Sequence, residues 1–291
     1  MEKIKNIILY FIFRIIFFAT NILPEKGRYF LGKSLGKLVY RLVKSRRKIS
    51  KNNLKNAFPD LPEEELDKIS RKVFINMGLM LVEFIFLEKI DGENFRDYCH
   101  VEGEGNLKQA YERGKGVIIY GAHFGNWEWM AALISLLGYP LSAIAARQHN
   151  SFFNEKVNKI RENKGINVIP IGISVREGYR DLKKGKCLYI LGDQDARHHG
   201  WEIDFFGQLA STYPGAVQLA RRTGAAIVPT FLIREDRFQH RLIFKEICTV
   251  DSDASQSTQK EILQELVNTT ETVIEEYPEQ WFWVHKRWKT L

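Results

Sequence analysis

The stretch Gly116–Met130, with the sequence GVIIYGAHFGNWEWM, constrains the fold of this chain more than any other. It opens with Val117–Tyr120, a short run of β-branched and aromatic residues that predicts a buried strand. From Trp127 onward, apolar residues recur at helical spacing, and Asn126 just before them is a suitable N-cap. The stretch therefore predicts a strand, a tight turn and a helix, as in folds that alternate strands and helices.

His123 lies in this turn, and Glu128 lies in the first turn of the predicted helix. On one continuous helix, residues five positions apart point about 140° away from each other. The intervening turn lets the imidazole fold back onto the carboxylate, which would orient His123 and stabilise its imidazolium form. Such a pair activates a hydroxyl group. Spacing alone leaves a structural alternative open, in which His123 packs or caps and Glu128 is a solvated acid.

Strand-like and helix-like segments alternate through the rest of the chain. The predicted strands are Leu141–Ala145, Asn167–Ile171, Cys187–Leu191, Ala225–Leu232 and Arg241–Ile247. The predicted helices are Leu61–Glu88, Phe152–Lys164, Ser174–Lys184, Pro214–Thr223 and Ser257–Tyr277, and Ser174 with Glu177 predicts a capping box. This alternation predicts an α/β sandwich around a mostly parallel or mixed central sheet.

The N-terminal segment Ile4–Leu23 is long and apolar enough to approach the thickness of a bilayer. Arg14 interrupts it, and a charge inside the hydrocarbon region is unfavourable unless it snorkels or is paired. No small-x-small cleavage site follows the apolar run, which argues against a signal peptide. We therefore predict an uncleaved membrane anchor helix over residues 1–23, which can span the bilayer or lie in its interface.

Basic and apolar residues interleave at helical intervals over Lys26–Lys55. This pattern predicts an amphipathic, membrane-facing segment over residues 24–60, and no second domain is apparent in residues 24–291. The basic side places the bulk of the chain in the cytoplasm by the positive-inside bias.

The formal net charge of +8 favours acidic partners, such as an anionic membrane, a phosphorylated lipid or an acidic carrier protein. Nucleic acid is not predicted as a partner, because the basic run adjoins an apolar segment and contains no nucleic-acid-binding motif.

Neither a disulfide framework nor a metal site is predicted. The three cysteines have no paired spacing, which indicates a reducing compartment. His198 and His199 are adjacent, but neither H-x-x-x-H nor H-E-x-x-H occurs.

Three further residues follow predicted strands, where ligand crevices of open α/β sheets lie. Arg147 directly follows the strand-like segment Leu141–Ala146, and its guanidinium can bind a phosphate. Asp193 and Asp195 come after the strand Cys187–Leu191. These carboxylates can orient substrate hydroxyls or organise basic neighbours, or they can simply cap a loop.

Several segments match one family's motifs in the right order. They are NLKNAFP at Asn53–Pro59, the H-x4-E pair of His123 and Glu128, GDQD at Gly192–Asp195, the block DFFGQLASTYPGAVQLARRTGAAIVPTF from Asp204, and PEQWFWVHKRWKT at Pro278–Thr290. With these motifs the chain resembles the late lipid A acyltransferases, the lauroyl and myristoyl transferases of lipopolysaccharide assembly.

The resemblance implies a membrane-associated O-acyltransferase, with residues 24–291 as a single acyltransferase domain. His123 would be the general base, Glu128 its orienting partner, and Arg147, Asp193 and Asp195 substrate-binding residues. The donor would be an acyl thioester of acyl carrier protein or coenzyme A, and no cofactor is expected. The acceptor would be a hydroxyl of a lipid A precursor or a similar phosphorylated glycolipid. The expected location is the inner membrane, with the catalytic domain facing the cytoplasm.

Other classes remain open from the sequence. A glycerolipid acyltransferase shares the H-x4-acid logic, but its usual aspartate and E-G-T-R-type phosphate motif are not found. A non-catalytic lipid-binding protein of the same fold would not need the intact pair of His123 and Glu128, and a hydrolase would need access for water. No G-x-S-x-G nucleophile elbow occurs, so a covalent acyl-enzyme is not required.

Overall fold

The structure is a computed structural model that describes the backbone of residues 2–146 and 151–290. In the helices that begin at Glu2 and Ser151, the side chains are described from Phe11 and from Asn154 onward. The helices and strands, in chain order, are α1 (Glu2–Ile22), α2 (Glu25–Leu42), α3 (Lys44–Ala57), α4 (Glu63–Phe86), β1 (Cys99–Glu102), α5 (Glu104–Glu112), β2 (Val117–Gly121), α6 (Trp127–Leu136), β3 (Leu141–Ala145), α7 (Ser151–Asn163), β4 (Ile166–Pro170), α8 (Ser174–Lys183), β5 (Cys187–Leu191), β6 (Trp201–Phe205), β7 (Gln208–Thr212), α9 (Gly215–Thr223), β8 (Ala226–Asp236), β9 (Gln239–Phe244) and α10 (Gln256–Glu276).

Within the described residues, seven strands form one sheet in the order β1-β9-β8-β2-β5-β3-β4. The strands from β8 to β4 run parallel to one another. Strand β9 runs antiparallel to β8, and β1 runs parallel to β9. The predicted α/β fold with a mostly parallel, mixed central sheet is therefore confirmed.

The central strand β2 separates two hydrophobic cores. Its residues Ile118 and Tyr120 belong to the core formed with helices α8, α9 and α10. Val117 and Ile119 belong to the core formed with α5 and α6. Because side chains alternate along a strand, the continuous apolar run of β2 supplies both faces and puts helices on each side of the sheet.

The N-terminal helices pack on α4 and expose an apolar surface. Helix α2 approaches α4 closely at Gly36, where a Cβ atom would lie 2.3 Å from the Phe74 carbonyl oxygen. A helix does occupy the segment predicted as an anchor. Yet among the described residues, no helix combines the length and hydropathy that a bilayer crossing requires.

Two local features differ from the sequence predictions. Strands β6 and β7 form a separate antiparallel hairpin that was not predicted. Its turn places Phe206 and Gly207 at φ values of 56° and 71°, as hairpin turns need, but Phe206 is not a residue type that signals such a turn. The predicted capping box is wrong: Ser174 lies inside the first turn of α8, and its hydroxyl donates to the Ile171 carbonyl oxygen at 2.7 Å.

Candidate active site

His123 lies on the turn between β2 and α6, beyond the carboxyl end of the central strand. Asn126 caps α6 as predicted, because its side-chain oxygen accepts the Trp129 backbone N–H at 3.1 Å. Gly125 has φ of 56°, and a Cβ atom there would lie only 1.8 Å from the Leu232 carbonyl oxygen. Only glycine fits this position. The backbone of the turn therefore packs directly against the backbone of β8.

The partner of His123 is Asp193, in the loop that follows β5. The His123 Nδ1 atom lies 2.8 Å from Asp193 Oδ1, and the His123 backbone N–H donates to Asp193 Oδ2 at 2.9 Å. The Trp281 indole N–H also donates to Oδ2, at 2.8 Å. An ionised Asp193 accepts all three bonds, which assigns the proton to Nδ1 and leaves Nε2 with its lone pair.

The ionised form of Asp193 is favoured although the residue is buried. Burial alone would raise the pKa of this carboxyl, but the attraction of the His123 ring in its protonated form and the hydrogen bonds from His123 and Trp281 lower the pKa overall. Hydrogen bonds to the charged form stabilise it in this way. A buried carboxylate that holds an imidazole through Nδ1 is the arrangement that supports a histidine general base.

The predicted contact between Glu128 and His123 is wrong. Both carboxylate oxygens of Glu128 accept from the Arg161 guanidinium on α7, at 2.6 and 2.9 Å. A bidentate ion pair of this kind satisfies both partners and fixes their geometry. Burial alone would lower the pKa of Arg161, but the bonds and charge of Glu128 raise it overall. Glu128 therefore connects α6 to α7, and its predicted role in catalysis remains a prediction.

Asp195 lies two positions after Asp193 and bonds to the C-terminal segment. Its carboxylate accepts from the Thr290 hydroxyl at 2.8 Å and from the Arg197 backbone N–H at 3.3 Å. Its backbone N–H donates to His285 Nε2 at 3.2 Å. Burial lowers the pKa of His285, which keeps this nitrogen an acceptor at neutral pH. Asp195 also lines the cavity described below, so its predicted contact with substrate remains a prediction.

Two aromatic rings flank the His123 imidazole. The ring centroids of Trp127 and Phe282 lie 5.0 and 6.1 Å from that of His123, and the Phe282 N–H donates to the His123 carbonyl oxygen at 2.9 Å. The importance of the aromatic C-terminal segment was visible in the sequence, but its individual partners were not. The remaining predicted site residue, Arg147, lies outside the described residues.

A cavity of about 820 Å³ opens at His123 and extends between α8 and α9. Its apolar lining comes mainly from β3, β5, α8 and α9, and includes Ile144, Val175, Ile190, Leu191 and Leu219. Polar groups on its wall include Asp195, Arg197 and Arg222. The arrangement can hold an extended apolar chain in the cavity and bring its reactive end to His123.

Comparisons with known proteins identify the family of this chain. The model of the bacterial lipid A biosynthesis acyltransferases matches residues 2–290. The lipid A biosynthesis palmitoleoyltransferase of Escherichia coli (strain K12) is 29% identical over 274 residues, which cover 92% of this chain and 87% of that protein. The phosphatidylinositol mannoside acyltransferase of Mycolicibacterium smegmatis is 23% identical and covers 82% of this chain and 78% of its own length.

Among solved structures, the 1-acyl-sn-glycerophosphate acyltransferase PlsC from Thermotoga maritima aligns with 95% of this chain and 99% of its own, at 17% identity. The TM-score of 0.41 is too low to establish a common fold. The family match extends over nearly the whole described chain and includes the turn that carries His123. The chain is thus an acyltransferase that belongs to the bacterial lipid A biosynthesis acyltransferase family.

Proposed function

We propose that this protein is a membrane-associated O-acyltransferase with His123 as general base and Asp193 as the group that orients it. It transfers a fatty acyl group from a thioester to a hydroxyl of a lipid A precursor or a similar phosphorylated glycolipid. The observation that carries the proposal is the bond from His123 Nδ1 to the buried Asp193 carboxylate, with the ring at the mouth of an apolar cavity.

The proposed reaction proceeds by direct attack. His123 Nε2 takes the proton of the acceptor hydroxyl while the oxygen forms a bond to the thioester carbonyl carbon. Asp193 stabilises the imidazolium that forms. The tetrahedral intermediate then expels the thiolate, which takes the proton from Nε2 and leaves as the free thiol. The acyl chain occupies the cavity between α8 and α9, whose apolar lining suits it.

The proposed donor is the thioester of acyl carrier protein or of coenzyme A, and Asp195 is a proposed substrate contact. The reaction itself requires no metal or redox cofactor, since proton transfer and thiolate departure complete it. Names of relatives in the family refer both to lipid A and to phosphatidylinositol mannoside. Both are glycolipids, which supports a glycolipid acceptor.

Replacement of His123 by alanine tests the mechanism. The rate of acyl transfer should fall by about 10²–10⁴-fold, the usual contribution of a general base. Purified wild-type and His123→Ala proteins are compared with an acyl-carrier thioester and a lipid A precursor, and thermal unfolding checks that the variant is folded. Near-normal transfer by a folded variant would eliminate this mechanism, whereas an inactive wild type with several glycolipids would eliminate the acceptor class.

We also propose that the protein binds the cytoplasmic face of the inner membrane through residues 1–60. Exposed apolar side chains follow α1 and α2, at Phe11, Ile15, Phe18, Ile22, Phe30, Leu38 and Leu42. Helix α3 adds a basic surface that includes the exposed Lys44 and Lys48. Apolar insertion and attraction to anionic lipids each bind weakly alone and strongly together. Residues 1–23 act as the anchor in this proposal and residues 24–60 as the basic membrane-facing segment.

Vesicle binding separates these two contributions. Removal of residues 1–23 should leave weak binding to anionic vesicles that disappears at high salt, because screening weakens surface electrostatics. Adding Lys44→Glu and Lys48→Glu to this truncation should abolish the remaining binding. Sedimentation with vesicles of neutral and anionic composition measures both effects. A truncated protein that ignores anionic vesicles at low salt would rule out the basic segment as a membrane surface.

A further inference from the structure

An ion pair with little exposed surface lies behind the His123 turn. Glu83 on α4 has no exposed surface, and the Arg234 guanidinium on β8 donates to both of its carboxylate oxygens. The Nε2 atom of His240 lies 3.2 Å from Glu83 Oε1. Burial and the Arg234 charge lower the pKa of His240, so its ring is neutral. The cluster therefore holds one anion and one cation.

From this ion pair, hydrogen bonds run directly to the helix that follows His123. The Asn126 side-chain N–H donates to Glu83 Oε2 at 2.7 Å, and the Trp129 indole N–H donates to the Glu83 carbonyl oxygen at 2.8 Å. Asn126 is the cap of α6, so its side chain bonds the ion pair through nitrogen and the helix through oxygen. Glu83 thereby fixes where α6 begins.

A second chain of bonds leads from Arg234 to Gly125. The Arg234 backbone N–H and carbonyl bind the Gln280 side chain at 2.8 and 2.9 Å, and the Gln280 carbonyl oxygen accepts the Gly125 N–H at 2.9 Å. Arg234 Nε also donates to Asn76, whose amide donates to the Gly125 carbonyl oxygen at 3.4 Å. Gln280 thus links the Gly125 N–H to the Arg234 backbone, and Asn76 links the Gly125 carbonyl oxygen to the Arg234 guanidinium.

Stability alone does not account for such a pair. The desolvation penalty of a buried ion pair offsets much of its Coulombic attraction, and well-packed apolar residues often replace it at no loss. What the side chains of the pair do provide is directional bonding to the His123 turn: Glu83 bonds to Asn126 directly, and Arg234 bonds to Gly125 through Asn76. These bonds leave little freedom for the turn to move relative to Asp193, which lies in the loop after the neighbouring strand β5.

We propose that Glu83 and Arg234 are positioning residues, which hold the His123 turn at the distance from Asp193 that catalysis requires. This rests on the proposed role of His123 as general base. Neither residue lines the cavity within the described part of the chain. Loss of the pair should therefore lower kcat and leave KM unchanged. A misplacement of about 1 Å can reduce the rate by about 10²-fold, so we expect a decrease of about 10–100-fold.

The mildest test is Asn126→Ser. Serine caps a helix about as well as asparagine, but its short hydroxyl does not bridge to Glu83 in the same way. We expect kcat to fall about tenfold or more, with KM, the helix content and the melting temperature near wild type. An unchanged kcat in this variant would overturn the proposal.

A double variant separates positioning from stability. Glu83→Leu alone leaves the Arg234 charge buried and unpaired, so its melting temperature should fall markedly. Adding Arg234→Met removes that charge and should restore much of the melting temperature. The proposal expects kcat of the double variant to stay about 10–100-fold low even so. Recovery of kcat together with stability would assign the pair a structural role only. If the double variant does not fold, Asn126→Ser decides.

Asp181 offers a matched control. It is also a buried carboxylate with several partners, and it accepts from the Ser142 hydroxyl at 2.6 Å and lies 3.3 Å from the Lys186 ammonium. These partners lie at the amino ends of β3 and β5, away from His123. Asp181→Asn should therefore lower the melting temperature with kcat unchanged. A loss of kcat in Asp181→Asn that equals the loss in Glu83→Leu would overturn the proposal, since destabilisation alone would then explain both.

The failure of this proposal differs from a failure of the proposed function. If a folded His123→Ala protein retains activity, the general-base mechanism is wrong, and the positioning proposal that rests on it is wrong with it. If His123→Ala is inactive while Asn126→Ser is fully active, the mechanism stands and the positioning role is wrong.

Discussion

Two regions of the molecule offer a carboxylate to His123, and the structure uses them differently. The loop after β5 supplies Asp193, which is buried and bonds to the imidazole. The first turn of α6 supplies Glu128, which is nearer in sequence but bonds with both oxygens to Arg161. The comparison shows that the partner of His123 is set by which strands are neighbours in the sheet. Strand β5 lies beside β2, so the loop after β5 meets the turn after β2.

The two carboxylates also differ in whether a cationic partner already neutralises their negative charge. Among the described residues, the only basic side chain within hydrogen-bonding distance of Asp193 is His123 itself, so the negative charge of Asp193 is available to stabilise the imidazolium. The charge of Glu128 is already neutralised by Arg161. A carboxylate in a bidentate ion pair contributes little net field at a neighbouring group. Asp193→Asn and Glu128→Gln each replace a carboxylate by an amide. We therefore expect these two variants to lose different amounts of acyl-transfer activity.

The largest effect is expected for Asp193→Asn. An amide has one acceptor oxygen for three donors, so the His123 ring loses its fixed tautomer and the imidazolium loses its counter-charge. The acyl-transfer rate should fall by about 10²–10⁴-fold. Steady-state rates with one donor and one acceptor measure this loss.

Adding His123→Ala to Asp193→Asn should reduce the rate little further, because residues that act as one unit are strongly non-additive. Thermal unfolding of all the variants serves as the control for folding. If the two losses instead multiplied, Asp193 and His123 would work independently.

A smaller effect is expected for Glu128→Gln, about 10–100-fold, since it acts by misplacing α6 and α7 and not by removing a charge from His123. The matched variant is Arg161→Gln. A thermodynamic cycle of the two single variants and their double variant should show strong coupling between Glu128 and Arg161.

Coupling of Glu128 to His123 should be weak by comparison, so the losses of Glu128→Gln and His123→Ala should multiply. Strong non-additivity of these two variants would restore the direct pairing that the H-x4-E spacing predicts from the sequence.

The smallest effect concerns acid stability and His285. Burial lowers the pKa of His285 in the folded protein, so the unfolded chain binds more protons as pH falls through about 6.5. The wild type should lose stability below that pH. His285→Gln keeps an acceptor for the Asp195 N–H and cannot titrate, so its melting temperature should fall less between pH 7.5 and pH 5.5. His100→Gln, at an exposed position, should follow the wild type. If all three proteins lost the same amount of melting temperature on acidification, the lowered pKa of His285 would not be a source of the acid sensitivity.

The fold was largely predictable because its signals are local. Strands β3 and β5 coincide with the predicted strands, because a short apolar segment flanked by polar residues is a clear local signal of a buried strand. The Asn126 cap was equally local. The hairpin of β6 and β7 escaped prediction because its turn places Phe206 at a positive φ value, for which the sequence gives no signal.

The site was only partly predictable, because pairing across strands is not a local property. His123 and Asp193 were both identified as functional candidates, yet their contact depends on β2 and β5 being neighbours in the sheet. The hydrophobic periodicity of a sequence and the spacing of its motifs do not determine the order of the strands. The sequence also gave no indication that Arg161 would bind Glu128 across two helices. Likewise, the NLKNAFP segment was recognised as a motif, but the bond from Asn53 to the Trp283 carbonyl oxygen required the three-dimensional structure.

The wide separation in sequence of the groups around His123 has a consequence for how the enzyme becomes active as it folds. His123 and Asp193 are 70 positions apart, and Asp195 and Thr290 are 95 apart. Asn53 reaches across 230 positions to Trp283. Contacts of this kind close long loops, which is entropically unfavourable and slow. Partly folded chains can therefore contain β2 and α6 and still lack an activated histidine, so we expect catalytic competence to appear only with the final cooperative step of folding.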